Sequence, residues 1–432
     1  MRPSEPTDLS PSFTVPDAPL ATEPLPARPN RDLTRLPVLD GLRGLAAIGI
    51  VIVHYSLGPS LRFPVIDRVT SVLEMCPVSL DTFLILSGFL IGGILLRSKD
   101  SPTYYQTFYR RRFFRILPVY YAWIALFCLL YFVAQGWGLQ RPVGFSGAFY
   151  LLSFIFFFQN FFPSIVESAL MVTPTWTLAL EEHFYLLAPV CIRRMSLRRL
   201  VQCLVAVIVA APVFRGVLFE FIGHRAEWAD IATRVWSPCR ADSLALGVLL
   251  AIVWRSPELR EWLHNHLPLF VSAIFGGSSI AMLLEYLASA NFPHCRFLSA
   301  SIGRSAVELA SFSLIVYLLC RPLSFFSRFL STNLMCELGK ISYTLYIIHW
   351  GVLWMIFRFV LHRGLGQHLR LDLTVAPLAL LLSIAIAKMS WEYFEYPLMQ
   401  RVHGEPRPIA HQDANRITAL DKEHLQSLAQ VK

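Results

Sequence analysis

The stretch Asp40–Tyr55, DGLRGLAAIGIVIVHY, sets Arg43 and His54 in one otherwise apolar or small-residue run, with ten residues between them. A run of this composition predicts a single helix. At about 1.5 Å of rise per residue the two side chains stand roughly 16 Å apart, half the thickness of a bilayer core. Ionisable groups at such depth are expensive to build, and those found inside a membrane are functional candidates. The plainer account has Arg43 snorkelling to an interface and His54 hydrogen-bonded within a helix bundle.

The rest of the chain carries the same signature. Of its 432 residues 55% are hydrophobic and only 16% charged, where soluble domains carry about 25%. Apolar runs such as Phe149–Phe158, Leu200–Pro212, Leu244–Trp254 and Leu378–Ala387 recur along it. The expected fold is all-α, a polytopic transmembrane helical bundle. A transmembrane barrel would need short alternating segments, which are absent.

The net charge of +9 is not a nucleic-acid signal, because the basic residues cluster at the ends of apolar segments, as positive-inside topology requires. Arg97, Lys99, Arg110–Arg112 and Arg115 follow one segment, Arg193, Arg194, Arg198 and Arg199 another, and Arg321 with Arg328 a third. Membrane lipid is the expected surroundings, with no nucleic-acid partner. Residues 1–36 are dense in Pro and polar residues and read as a disordered cytoplasmic tail. Residues 37–400 form the transmembrane domain, and 401–432 a second polar tail.

The eight cysteines show no ligand spacing. Cys128, Cys191, Cys203 and Cys320 read as packing residues, while a disulfide among Cys76, Cys239 and Cys295 stays open. His54, His183 and His349 lack HxxxH or HxxE spacing with one another, so no metal is expected.

Eleven apolar segments can be counted, near 42–58, 76–96, 116–135, 147–162, 175–192, 199–220, 240–254, 267–289, 303–320, 340–361 and 374–396. With the N-terminus cytoplasmic, eleven crossings would put the basic loop Arg193–Arg199 outside, against its charge. Residues 147–192 are therefore expected to cross once in net terms, with one piece broken, re-entrant or interfacial. The count becomes about ten spans with both termini cytoplasmic. Arg43, Arg112, Arg115, Lys340 and Glu395 then lie near the inner surface. His54, Asp81, Glu181, Glu182, Arg240 and Asp242 lie in the outer half, and His349 is closer to mid-depth.

Seven blocks of residues occur along this frame: R-x10-H at Arg43 and His54; SLDTFLILSGFLIGGILL with Asp81, Ser87 and Gly88; R-x-x-R at Arg112 and Arg115; TPTWTLALEEHFYLLAP with Trp176, Glu181, Glu182 and Tyr185; CRADSLALGVLLA with Arg240, Asp242 and Gly247; LGKISYTLYIIHW with Ser342, Tyr343 and His349; and the closing FEYPL with Glu395 and Pro397. In content and order they resemble the acyltransferase-3 family of membrane acyltransferases, which includes O-antigen and Nod-factor O-acetyltransferases. The likeness covers Leu39 to Pro397, with His183 standing where a Gln is usual. No hydrolase-like domain follows the last block, so a stand-alone member is expected.

The resemblance implies transfer of an acyl group, most often acetyl, from cytosolic acyl-CoA to a hydroxyl of a carbohydrate or glycoconjugate reached from the outer side. It implies acyl-CoA as donor substrate and no permanently bound cofactor, and a bacterial inner membrane as the location. A thioester is already activated, so the acceptor hydroxyl mainly needs a base. An imidazole near neutrality serves best.

His54 is therefore expected as general base, with an acyl-histidine as the variant mechanism. Glu181 or Asp81 would orient it as a triad carboxylate does; the plain alternative for these carboxylates is a buried ion pair with Arg240 that ties helices together. Arg112 and Arg115 would hold the donor's phosphates, with positive-inside anchoring as the plain alternative, and Arg43 would contact its phosphate or pantetheine portion. Trp176, Glu182, Arg240, Asp242 and His349 complete the set expected near the acceptor; for His349 a bundle-stabilising role outweighs that of a second base, an interfacial belt position is the plain alternative for Trp176, and Ser87 and Gly88 are expected to let helices approach closely. Two other classes share these features: a proton-coupled transporter, in which intramembrane His and carboxylates relay protons, and a non-catalytic membrane partner of a polysaccharide assembly complex.

Overall fold

The computed structural model describes residues 36–60, 69, 80–136, 148–162, 171–223, 228–292, 294–362 and 369–403. Among them every regular element is helical. The long helices are α1 (Pro37–Ser60), α2 (Leu80–Ser98), α3 (Tyr104–Gly136), α4 (Trp176–Arg194), α5 (Leu197–Leu218), α6 (Ser237–Arg255), α7 (Leu267–Ser289), α8 (Arg304–Cys320), α9 (Asn333–Met355) and α10 (Leu369–Ser390). In the described residues nine helices are long and apolar enough to cross a membrane. The remaining long helix, α4, is 19 residues long but carries Glu181, Glu182, Arg193 and Arg194. Its charges disqualify it by composition, yet its length matches a bilayer core. Nine such helices stand against the ten expected, with α4 the candidate for the tenth, and the protein is an integral membrane protein.

Of the two pieces of 147–192, the irregular one is 147–162. There the helix Ala148–Ile155 is eight residues long and gives way to a single 3-10 turn, Gln159–Phe161. Phe157 between them takes a positive φ of 59°. Irregular backbone of this kind needs internal partners when away from water. The side chains of this stretch tie it to its neighbours, Gln159 donating to the Thr175 carbonyl at 3.0 Å and Asn160 to the Val235 carbonyl at 3.1 Å. Both side chains are buried.

Two close helix crossings set the frame. α1 runs along α9, where a Cβ on Gly339 would lie 2.0 Å from the Asp40 carbonyl oxygen. α2 runs along α6, where a Cβ on Gly247 would lie 2.1 Å from the Ile85 carbonyl and one on Gly88 2.2 Å from that of Leu244. No larger residue fits, so backbones touch as small residues allow in membranes. Gly88 thus packs as expected. Cys239 and Cys295 are both free thiols, which removes a pairing between them, and Cys76 lies outside the described residues. The two polar tails likewise fall almost wholly outside them.

Candidate active site

α1 and α9 bring their histidines together. His54 Nδ1 lies 2.7 Å from His349 Nε2. The ring planes differ by 6° with centroids 5.0 Å apart, so the imidazoles meet edge to edge in one plane. His349 is fully buried and its Nδ1 sits 2.6 Å from the Tyr346 carbonyl oxygen, one helical turn back. His54 is half-buried. Beside it the Tyr55 hydroxyl donates to the His349 carbonyl at 2.9 Å and contacts Ser383 Oγ of α10 at 3.0 Å. Trp350 flanks His54 at 5.6 Å between ring centroids. The Gly339 crossing holds α1 and α9 in register for this pair.

One end of α1 gathers the arginines. Arg43 feels the charges of Arg115, Asp40 and Glu181, and Arg112 those of Arg43, Arg115 and Glu181. All three guanidinium-bearing side chains are half-buried. Arg112 packs over the rings of Phe108 and Tyr185 at 5.8 and 5.6 Å, a cation–π seat that fixes the head group. Glu181 accepts from Ser87 Oγ at 2.7 Å and from the Tyr185 hydroxyl at 3.0 Å. Ser87 therefore does more than allow close packing, since it ties α2 to α4 at this carboxylate. Glu395, from the closing motif, accepts from Thr344 at 2.6 Å and lies near Arg115. Three concentrated positive charges in half-open surroundings can bind phosphates.

A second polar cluster sits elsewhere, between α2, α5, α6 and α8. Arg240 pairs with Asp81 and lies 3.8 Å from Glu308; Arg215 pairs with Asp242 at 2.7 Å and lies 3.7 Å from Glu308. Ser243 Oγ donates to Glu308 at 2.8 Å, and Arg215 also donates to the Cys239 carbonyl at 2.6 Å and to Ser305 Oγ at 2.7 Å. These five ionic side chains are at most 2% exposed. Such a closed set binds helices to one another.

The site residues expected from the sequence therefore divide. His54 and His349 meet; Arg43, Arg112, Arg115, Glu181 and Glu182 share one electrostatic neighbourhood, which corrects the expected separation of the two glutamates, in the outer half, from the arginines at the inner surface. Neither Asp81 nor Glu181 is hydrogen-bonded to His54. Asp81 is held by Arg240 and Glu181 by Ser87 and Tyr185. Arg240 and Asp242 are locked in the ion network, each about 1% exposed, and so are closed to an acceptor. Trp176 opens α4 and is half-buried. Arg215 and Glu308, the other two members of the network, were not picked out in the sequence. Their signal was available: Arg215 is a lone ionisable residue inside a long apolar run, and Glu308 heads another, four residues after Arg304. Among the described residues no group of His, Cys, Asp and Glu is placed to hold a metal.

Comparison with known proteins fits this geometry. The family profile described as "Acyltransferase domain", acyltransferase-3, matches residues 36–388. O-acetyltransferase OatA of Staphylococcus aureus is 25% identical over 386 residues, covering 85% of this chain and 57% of the relative. A putative peptidoglycan O-acetyltransferase, YrhL of Bacillus subtilis, is 27% identical over 74% of this chain and 48% of its own length. Acyltransferase MdmB of Streptomyces mycarofaciens is 26% identical over 88% of this chain and 95% of its own. The chain thus spans about half the length of OatA and YrhL. No solved structure matches it. The profile spans α1 through most of α10 and takes in both the histidine pair and the arginine cluster. The chain belongs to the acyltransferase-3 family of membrane acyltransferases.

Proposed function

We propose that this protein is a membrane O-acyltransferase of a bacterial inner membrane. It moves an acetyl group from cytosolic acetyl-CoA to a hydroxyl of a carbohydrate or glycoconjugate reached from the outer side. The observation that carries the reading is the division of labour along α1: a half-buried histidine in one half, and in the other an arginine joined by two more from α3. The arginines match the phosphates of coenzyme A in charge, and guanidinium forks grip phosphate oxygens in pairs. The basic loops nearest them mark that end as cytoplasmic. The relatives' printed names, O-acetyltransferase and peptidoglycan O-acetyltransferase, support acetyl as the group and a glycan as the acceptor class.

In the reaction His54 accepts the proton of the acceptor hydroxyl as its oxygen attacks the thioester carbonyl. The new C–O ester bond forms, the C–S bond breaks, and the proton passes from the imidazolium to the departing thiolate. No external oxidant, metal or further reactant is required. General-base assistance of this kind contributes about 10²–10⁴-fold to the rate.

The test uses purified full-length protein, radiolabelled acetyl-CoA and two acceptors, a muropeptide disaccharide and a lipid-linked oligosaccharide. Label should move to one acceptor, and His54→Ala should abolish the transfer. Undiminished transfer by His54→Ala would remove His54 from the mechanism. Uptake of a saccharide into proteoliposomes with no acetyl transfer would favour a carrier instead.

A further inference from the structure

The pairing of the two imidazoles determines which nitrogen of His54 carries the chemistry. A carbonyl oxygen can only accept a hydrogen bond. His349 Nδ1, 2.6 Å from the Tyr346 carbonyl, must therefore hold a proton. In a neutral His349 the other nitrogen, Nε2, then carries the lone pair. That nitrogen lies 2.7 Å from His54 Nδ1, so His54 Nδ1 is the donor across the contact. The neutral His54 is left with its lone pair on Nε2. Backbone carbonyl, buried imidazole and half-buried imidazole form a directional series, and the series ends on an unprotonated nitrogen.

We propose that His349 is the positioning residue of the active site, fixing His54 as the Nδ1–H tautomer so that Nε2 is the atom that takes the acceptor's proton. It occupies the place a carboxylate fills in a serine-hydrolase triad, where the third member sets the base's tautomer and orientation. The reading rests on His54 being the general base. The difference from a carboxylate is chemical: a neutral imidazole brings no fixed negative charge into an apolar site. When His54 Nε2 takes the hydroxyl proton, the positive charge can spread to His349 as the shared proton moves from His54 Nδ1 to His349 Nε2. As the thiolate leaves, the shared proton returns and His54 Nε2 gives up its own, so the pair ends as it began. His349 itself is fully buried and touches the reaction only through His54.

Three features of the fold serve this arrangement. Tyr55 clamps the backbone of His349 through its carbonyl and is held in turn by Ser383. Tyr346, whose carbonyl orders the series, is pinned through its hydroxyl by Thr177 Oγ1 at 3.2 Å. The Gly339 crossing sets the spacing of α1 and α9.

Two measurements on full-length protein in lipid nanodiscs test it. The first is the nitrogen-15 NMR spectrum of histidine-labelled protein at neutral pH, with the His54 signals identified by their loss in His54→Gln. His54 should show a protonated Nδ1 and an unprotonated Nε2. A protonated Nε2 in the neutral ring overturns the proposal whatever the activity.

The second compares His349→Gln with His349→Asn, scored by thiol release from acetyl-CoA with water as the acceptor. A glutamine amide oxygen reaches the Nε2 position and still accepts from His54 Nδ1, whereas an asparagine keeps only the bond to Tyr346. His349→Gln should retain at least about a tenth of the parent kcat. His349→Asn should lose about 10²–10³-fold with the KM for acetyl-CoA nearly unchanged. Equal losses in the two variants, or none in His349→Asn, would sink the positioning role. If His349→Asn does not fold, a loss beyond 100-fold in folded His349→Gln decides against it equally. His54→Ala run alongside separates the readings, because its full activity would defeat the base assignment and leave the tautomer result standing.

Discussion

Two polar clusters lie in this bundle, and they are built on opposite principles. Between α2, α5, α6 and α8 two arginines and three carboxylates are closed off together, at most 2% exposed, each charge answered by another. Between α1 and α9 two imidazoles are joined by one hydrogen bond, and the outer ring stays half-buried. A network shut away from solvent leaves no room for a substrate, whereas a half-buried imidazole with one nitrogen engaged has the other to use. Burial of an ionisable group in a membrane thus marks importance without saying which kind. Access from outside, set against complete enclosure, separates a working group from a fastener.

The contrast predicts opposite phenotypes. The largest effect should come from His54→Ala, with acetyl transfer falling by about 10³-fold or more, within the span general bases supply. Its thermal unfolding in detergent should stay near that of the parent. A large loss of stability in this variant would erase the distinction between the clusters.

Next come Asp81→Ala and Arg240→Ala. Each strands a buried charge and should cost roughly 3–5 kcal/mol of stability, read as a drop in melting temperature and in yield of monodisperse protein. The pair Asp81→Leu with Arg240→Met should recover much of that loss, because an apolar pair leaves no orphan. Fully stable single variants that no longer transfer acetyl would move the network into the catalytic machinery.

Smaller again is the effect expected at the arginines. Arg112→Ala or Arg115→Ala should raise the KM for acetyl-CoA about tenfold, in line with one charge-assisted hydrogen bond. Unchanged donor KM in both would leave positive-inside anchoring as the whole explanation of R-x-x-R. The smallest effect belongs to Lys340, paired with Glu337 at 2.6 Å with the two side chains 49% and 60% exposed. Lys340→Ala should change stability by less than about 0.5 kcal/mol.

Much of the fold was legible from residues alone, for reasons that can be named. Lipid leaves the backbone few choices, so apolar length and basic flanks suffice to mark spans. The argument that 147–192 crosses once followed from the sign of Arg193–Arg199, and the break at Gln159–Phe161 lies in that stretch. The arginine group was legible too, since Arg112 and Arg115 share a helix face three residues apart. The partner of His54 was not legible. The analogy of a triad points to Glu181 or Asp81, but 295 residues separate His54 from the histidine it meets. No local pattern carries a pairing across that distance.

The amino-acid order by itself settled the apolar surroundings of this chain, its all-helical build, and the placement of Arg43 and His54 on one helix. These depend on hydropathy, charge and helical rise, which act over neighbouring residues. The tertiary structure alone decided which buried charges cancel one another and which imidazole keeps a nitrogen to spare. Those outcomes depend on which helix faces meet, and that is fixed by glycine-lined crossings such as those at Gly339 and Gly247, where two backbones come close enough for distant side chains to bond.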